Sequence, residues 1–199
     1  MNRGAGLPAL DLPQRVGEAV AALRAQSALR PEVALTLGSG LGGVADLVES
    51  AVRIPTTAIP HWPRSTVPGH AGTLALGTLA GVPLVALAGR SHRYEGYTLD
   101  RVTFGVRVMH ALGARVMIFT NAVGAIHPEY RPGDLMVATD HINFIGRRGL
   151  FTPAELAERG AGRRVAAVYA PGLRTALVAA GLRAGVTLRP GTKCRCATV

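Results

Sequence analysis

Four short glycine-bearing segments gather most of the side chains in this sequence that suit a small anion. Gly38-Ser-Gly-Leu-Gly-Gly43 follows an apolar run, so backbone N–H groups at its turn would face an oxyanion, with Ser39 adding a hydroxyl. Pro68-Gly-His-Ala-Gly72 sets the imidazole of His70 between glycines that let a backbone come close to a ligand. Gly89-Arg-Ser-His-Arg-Tyr-Glu-Gly-Tyr97 is the densest: Arg90 can hold two oxygens of one anion at once, His92 can donate one more hydrogen bond, and Tyr94 offers a flat apolar face with a hydroxyl. Thr120-Asn-Ala-Val-Gly124 exposes the N–H of a small residue, Ala122.

Each segment also has a plainer reading. Ser39 would serve equally as a helix cap, a lone loop histidine is commonly surface decoration, and Glu95 either orients Arg90 or lies on the surface. Taken together, the hydroxyl, imidazoles, guanidinium and N–H are all donors, and inorganic phosphate fits that set. The glycine turn lacks a P-loop lysine and the spacing of a dinucleotide fingerprint, which argues against nucleoside triphosphates and dinucleotides.

The elements that must position these loops follow from periodicity. Residues 14–29 carry apolar positions at helical spacing and are closed by Pro31. Residues 33–37 read as a strand running into the glycine turn, and residues 44–49 as the start of a helix. Residues 73–78 and 83–88 flank a turn at Ala80-Gly81 and read as paired strands, the second too apolar for an exposed edge and therefore central. A helix is expected over 99–112, a buried strand over 115–120, a further strand over 135–139, and helices over 153–159 and 171–184. Residues 146–164 read as a surface excursion. Strands alternating with helices, each strand closing in a glycine loop, predict an α/β fold with a mixed central sheet flanked by helices, and ligands gather where such strands end.

The 199 residues, 48% of them hydrophobic, suffice for one substantial core, so a single domain over 1–199 is expected. A formal net charge of +10 attracts polyanions, but Arg24, Arg53, Arg64, Arg115 and Arg174 are scattered and no zinc-finger or RNA-reading signature accompanies them. Nucleic acid is therefore not an expected partner. Cys194 and Cys196 form neither a disulfide framework nor a complete metal site. No apolar run is long enough for a membrane span and residues 1–15 lack a secretory pattern, so a cytoplasmic protein with no membrane partner is expected.

Between residues 33 and 144, five motifs resemble, in order and spacing, those of the trimeric purine nucleoside phosphorylases. They are Leu37-Gly-Ser-Gly-Leu-Gly42, Ile59-Pro-His-Trp-Pro-Arg-Ser-Thr-Val-Pro-Gly-His-Ala-Gly72, Gly89 to Tyr97, Thr120 to Gly124 and Gly133-Asp-Leu-Met-Val-Ala-Thr-Asp-His-Ile-Asn143. The resemblance implies the nucleoside phosphorylase fold, a homotrimer, and phosphorolysis of purine ribo- and deoxyribonucleosides to free base and sugar 1-phosphate in purine salvage. Inorganic phosphate is then the co-substrate, with no metal and no organic cofactor. Carried over by position, Ser39, His70, Arg90, Ser91, His92 and the N–H of Ala122 would hold phosphate. Tyr94 would meet the ribose, His92 and Tyr94 would be the catalytic pair, and residues 140–143 would tie loops together.

Family members continue past a strand near Leu188 into Gly-Pro-x-Tyr/Phe-Glu-Thr, a Gly-Met-Ser stretch and a late asparagine, none of which stands in these residues, so no purine-holding residue is assigned. Residues 193–199 read as foreign text of the kind a frameshift leaves, and Val165 stands where the family presents a phenylalanine to the neighbouring subunit. Two further readings are a catalytically inactive phosphate-binding remnant and, disfavoured, a basic nucleic-acid-binding module.

Overall fold

A computed structural model describes residues 11–38, 40–64, 72–143 and 168–195, which gather into two compact units divided between Val123 and Gly124. Ser39, His70, Val165, the helix expected over 153–159, the excursion over 146–164 and residues 196–199 lie outside the described residues.

The first unit opens with α1 (Leu12–Arg24). Asp11 accepts the Gln14 N–H at 2.8 Å while the Gln14 side chain accepts the Asp11 N–H at 3.0 Å, so two donors orphaned at the helix start are satisfied reciprocally. The helix stops short of residue 29. Ser27 turns its hydroxyl to the Leu29 N–H at 3.3 Å, a local bond that competes with helix, and Pro31 disfavours continuation.

Five strands follow: β1 (Val33–Leu37), β2 (Glu49–Pro55), β3 (Thr73–Leu79), β4 (Val82–Ala88) and β5 (Val116–Phe119), with α2 (Leu99–Ala111) between the last two. They form one mixed sheet in the order β2-β3-β4-β1-β5. β1 lies parallel to both β4 and β5, and β3 antiparallel to β2 and β4. The β3–β4 hairpin turns through Ala80 (φ 50°) and Gly81 (φ 77°), two left-handed residues whose twist matches that of the strands. β4 sits centrally, with Leu84 to Leu87 buried, as its unbroken apolar run requires.

Alternation along the strands sends side chains to two faces. Leu74, Leu76, Val85 and Leu87 meet α1 and α2 through Leu23, Phe104, Val108 and Met109. Ala75, Leu84 and Ala86 join Leu37, Ala45 and Val48 on the other face. Burial of a side chain as large as Phe104 contributes about 1.5–3 kcal/mol, so these layers fix the strand ends firmly.

Two expectations are corrected. Residues 42–47 form a short 3-10 helix rather than the start of an α-helix, and β2 follows at once. Three glycines at 40, 42 and 43 weaken α nucleation, and Ser50 (φ 50°) sits in a register shift between Glu49 and Val52 that breaks the period-2 pattern of β2. β5 is the outer strand of this sheet rather than a buried one, with Ile118 and Phe119 exposed.

The second unit holds β6 (Leu135–Asn143), α3 (Pro171–Arg183) and β7 (Leu188–Arg195). β6 and β7 pair in parallel, and α3 packs against both. The ladder continues through Lys193 and Cys194, which face His141 and Ile142. Among the described residues no helix is long and apolar enough to cross a membrane.

Candidate functional site

Because β4, β1 and β5 run parallel and adjacent, their C-terminal ends share one edge of the sheet, the position where α/β folds collect ligands. Three of the sequence-predicted loops leave from these ends. Thr120 joins them. Its hydroxyl accepts the Gly38 N–H at 2.8 Å and donates to Thr36 O at 3.1 Å, while its own N–H donates to Thr36 O at 2.9 Å. Its carbonyl accepts Arg90 Nη1 at 3.2 Å.

The approach is close because Gly38 has no side chain. A Cβ there would stand 2.6 Å from Thr120 O and 2.8 Å from Asn121 Cα, backbone atoms that cannot swing aside. Beyond it Leu41 N–H closes on Gly38 O at 3.1 Å and Gly40 adopts φ 83°, so the chain folds tightly at the end of β1.

The Arg90 loop is built around a single 3-10 turn, Arg93–Glu95. Gly89 (φ 82°) and Gly96 (φ 85°) bend the chain at its two ends. The Glu95 carboxylate accepts the His92 N–H, and the His92 ring stacks on Tyr94 with centroids 4.8 Å apart and planes 11° from parallel. Glu95 thus supports the loop from within. Tyr94 is 69% exposed. Ser91 points the other way: it is buried, and its hydroxyl donates to Pro63 O at 3.2 Å.

Ala122 lies exposed two residues past Thr120. Of the predicted set, Arg90, His92, Tyr94 and Ala122 therefore sit on loops that leave the same sheet edge, and Ser91 turns inward. The segment that carries His70 lies between Arg64 and Gly72 of the described chain, and the Gly72 carbonyl accepts the Thr56 N–H at 2.8 Å. Thr120, to which the sequence assigns no role of its own within Thr120–Gly124, is the residue that ties the three loops together. Its place at a strand end beside Asn121 and Ala122 was the available signal, but nothing local reveals a partner at Gly38.

A second polar cluster occupies the second unit, where the Tyr169 hydroxyl meets His141 Nε2 and the rings stand 5.4 Å apart. Burial, and after it the Asp140 carboxylate, pushes the Tyr169 phenol above its ordinary value. This cluster ties β6 to the segment before α3, in keeping with the tying role expected for residues 140–143. Among the described residues no group of three or more His, Cys, Asp or Glu is placed to hold a metal ion.

Residues 32–198 match the model of the phosphorylase superfamily. Purine nucleoside phosphorylase 1 of Bacillus subtilis is 49% identical over 144 residues, covering 72% of this chain and 53% of that protein. The corresponding protein of Geobacillus stearothermophilus is 51% identical over 127 residues, 64% of this chain and 46% of its own length. The chain thus spans about half the length of the curated relatives it matches. Among solved structures, purine nucleoside phosphorylase of Schistosoma mansoni in complex with BCX-34 superposes with a TM-score of 0.80 and 30% identity, covering 94% of this chain and 72% of that one. A purine nucleoside phosphorylase in complex with ribose 1-phosphate gives 0.76 and 29%, covering 91% of this chain and 68% of that one.

Proposed function

Since the chain belongs to the phosphorylase superfamily, we propose that it carries the phosphate-binding half of a purine nucleoside phosphorylase site, at the shared ends of β4, β1 and β5. The observation that carries the reading is the convergence of the Gly38, Arg90 and Thr120 segments on one hydrogen-bonded cluster. Arg90 and His92 are the side chains that hold phosphate there, with Ser39, His70 and the N–H of Ala122 completing the set, and Tyr94 lies against the ribose.

In the reaction, a phosphate oxygen attacks the anomeric carbon of a purine ribo- or deoxyribonucleoside. The bond from that carbon to the base nitrogen breaks, its electron pair leaves with the base, and a proton from solvent neutralises it. The sugar passes through an oxocarbenium-like cation, which the phosphate dianion stabilises and then captures as the sugar 1-phosphate. The donors on the chain fix the nucleophile so that little reorganisation is left for the transition state. Phosphate is a co-substrate and no cofactor is required. The reading carries with it a homotrimer and a cytoplasmic setting.

Solved structures include a Schistosoma mansoni purine nucleoside phosphorylase in complex with inosine and a Schistosoma one in complex with hypoxanthine, which supplies the assay. Purified chain is given inosine with and without phosphate, and hypoxanthine release is followed beside an Arg90→Ala control. Release that needs phosphate and falls at least about a hundredfold in the variant is expected, the loss of a bidentate charged contact being worth two or more powers of ten. Release indifferent to phosphate, or unchanged in Arg90→Ala, would sink the proposal.

A further inference from the structure

Pro63 and Arg64 present two successive backbone carbonyls to one loop. The Ser91 hydroxyl donates to Pro63 O at 3.2 Å and the Tyr97 hydroxyl donates to Arg64 O. These two donors bracket His92, Tyr94 and Glu95, and Arg90 directly precedes the first of them.

The stem that offers the carbonyls is itself anchored in the core. Trp62 is 9% exposed and meets Phe104 edge-on at 5.9 Å. Its ring fills the space left by Gly105, where a Cβ would come within 2.8 Å of Trp62 Cζ2. His61, next to Trp62 in the chain, pairs with Glu18 of α1 at 2.7 Å. Tyr97 is steadied in turn by the Arg101 guanidinium, 5.4 Å from its ring centroid.

A hydroxyl has one proton to give. With that proton on Pro63 O, the Ser91 oxygen offers only lone pairs to any other group, which is the wrong polarity for an anion. We infer that Ser91 and Tyr97 are positioning residues: by closing the loop on Pro63 and Arg64 they hold Arg90 and His92 in the arrangement a phosphate requires, an inference that rests on the phosphate-site reading above.

The test is calorimetric titration of inorganic phosphate into the full chain as wild type, Ser91→Ala and Tyr97→Phe. Far-UV circular dichroism and the urea midpoint report the fold, and the His92 imidazole proton resonances report the loop. Each variant weakens phosphate binding by about three- to tenfold, the range of one lost hydrogen bond, and moves the His92 resonances before any phosphate is added, while the far-UV spectrum stays that of the wild type. Equal affinity in all three proteins overturns the inference and leaves the phosphate site standing. A loss in Ser91→Ala with none in Tyr97→Phe overturns it too, because Ser91 is then a direct ligand. A folded wild-type chain that takes up no phosphate overturns the phosphate-site reading and this inference with it. If Ser91→Ala does not fold, Tyr97→Phe, which removes one oxygen from a partly exposed ring, decides alone.

Discussion

Phe104 on α2 and Leu182 on α3 are both large apolar side chains on thirteen-residue helices, yet the first is 2% exposed and the second 67%. The same contrast runs through the two units. Among the described residues, buried hydrophobic side chains run from Ala19 to Ala114 in the first unit, and Val137 alone represents the second. A five-stranded sheet with helices to cover it can enclose a core, whereas a parallel pair with one helix leaves that helix wet on most sides, as Leu173 and Leu177 also show. Between α3 and its strands lies a groove of about 380 Å³ lined by Val137, Val178, Leu182 and Arg174. The described residues proposed to hold phosphate belong to the unit that is packed on both faces of its sheet. Donors that must be in place before a ligand arrives need that kind of support.

The sharpest way to break this contrast is to delete one side chain from each unit. Phe104→Ala is expected to destabilise the first unit by about 3–5 kcal/mol in urea unfolding, and Leu182→Ala to stay within about 0.5 kcal/mol of wild type. Equal losses would mean that the groove beside α3 is packed as tightly as the core.

A smaller effect is expected at Gly38. Replacement by alanine sets a methyl against the backbone of Thr120 and Asn121, costing about 1–3 kcal/mol by overpacking and lowering phosphate affinity about tenfold as the β1 and β5 loops are pushed apart. A Gly38→Ala chain that binds phosphate like the wild type would show that the close approach is dispensable.

The smallest effect is electrostatic and belongs to the second unit. The Tyr169 phenol titrates above its ordinary value of 10.0, for burial first and for Asp140 second. The folded state therefore holds this proton where the unfolded state has lost it. The stabilisation is fully present below about pH 10 and is lost as the pH rises through the folded value. Melting of the second unit followed by circular dichroism should move to lower temperature above about pH 10, and Tyr169→Phe should flatten that dependence.

Much of the first unit could be read from the sequence because its signals are local. The turn at Ala80-Gly81, the apolar run of β4 and the helical spacing of α2 each declare themselves within a dozen residues. The glycine bends at Gly89 and Gly96 were legible for the same reason. β2 was not, since the bulge at Ser50 hides its alternation, and the exposure of β5 was not, since an apolar strand looks alike in the middle and at the rim of a sheet. The inward turn of Ser91 and the junction at Thr120 depend on partners at Pro63 and Gly38, far along the chain, and no local pattern encodes them. Side-chain direction at a site is thus harder to read than the site's existence.

The bond from Gly38 to Thr120 spans 82 residues, and that from Arg90 to Thr120 spans 30. On a chain made from its N-terminus, the glycine turn and the arginine both wait for a threonine that emerges last. α1 and the β3–β4 hairpin can settle while synthesis is still under way, but this hydrogen-bonded junction has a date of birth no earlier than the docking of β5 beside β1. A chain stopped short of residue 120 would carry the glycine turn and the arginine and could form none of this junction.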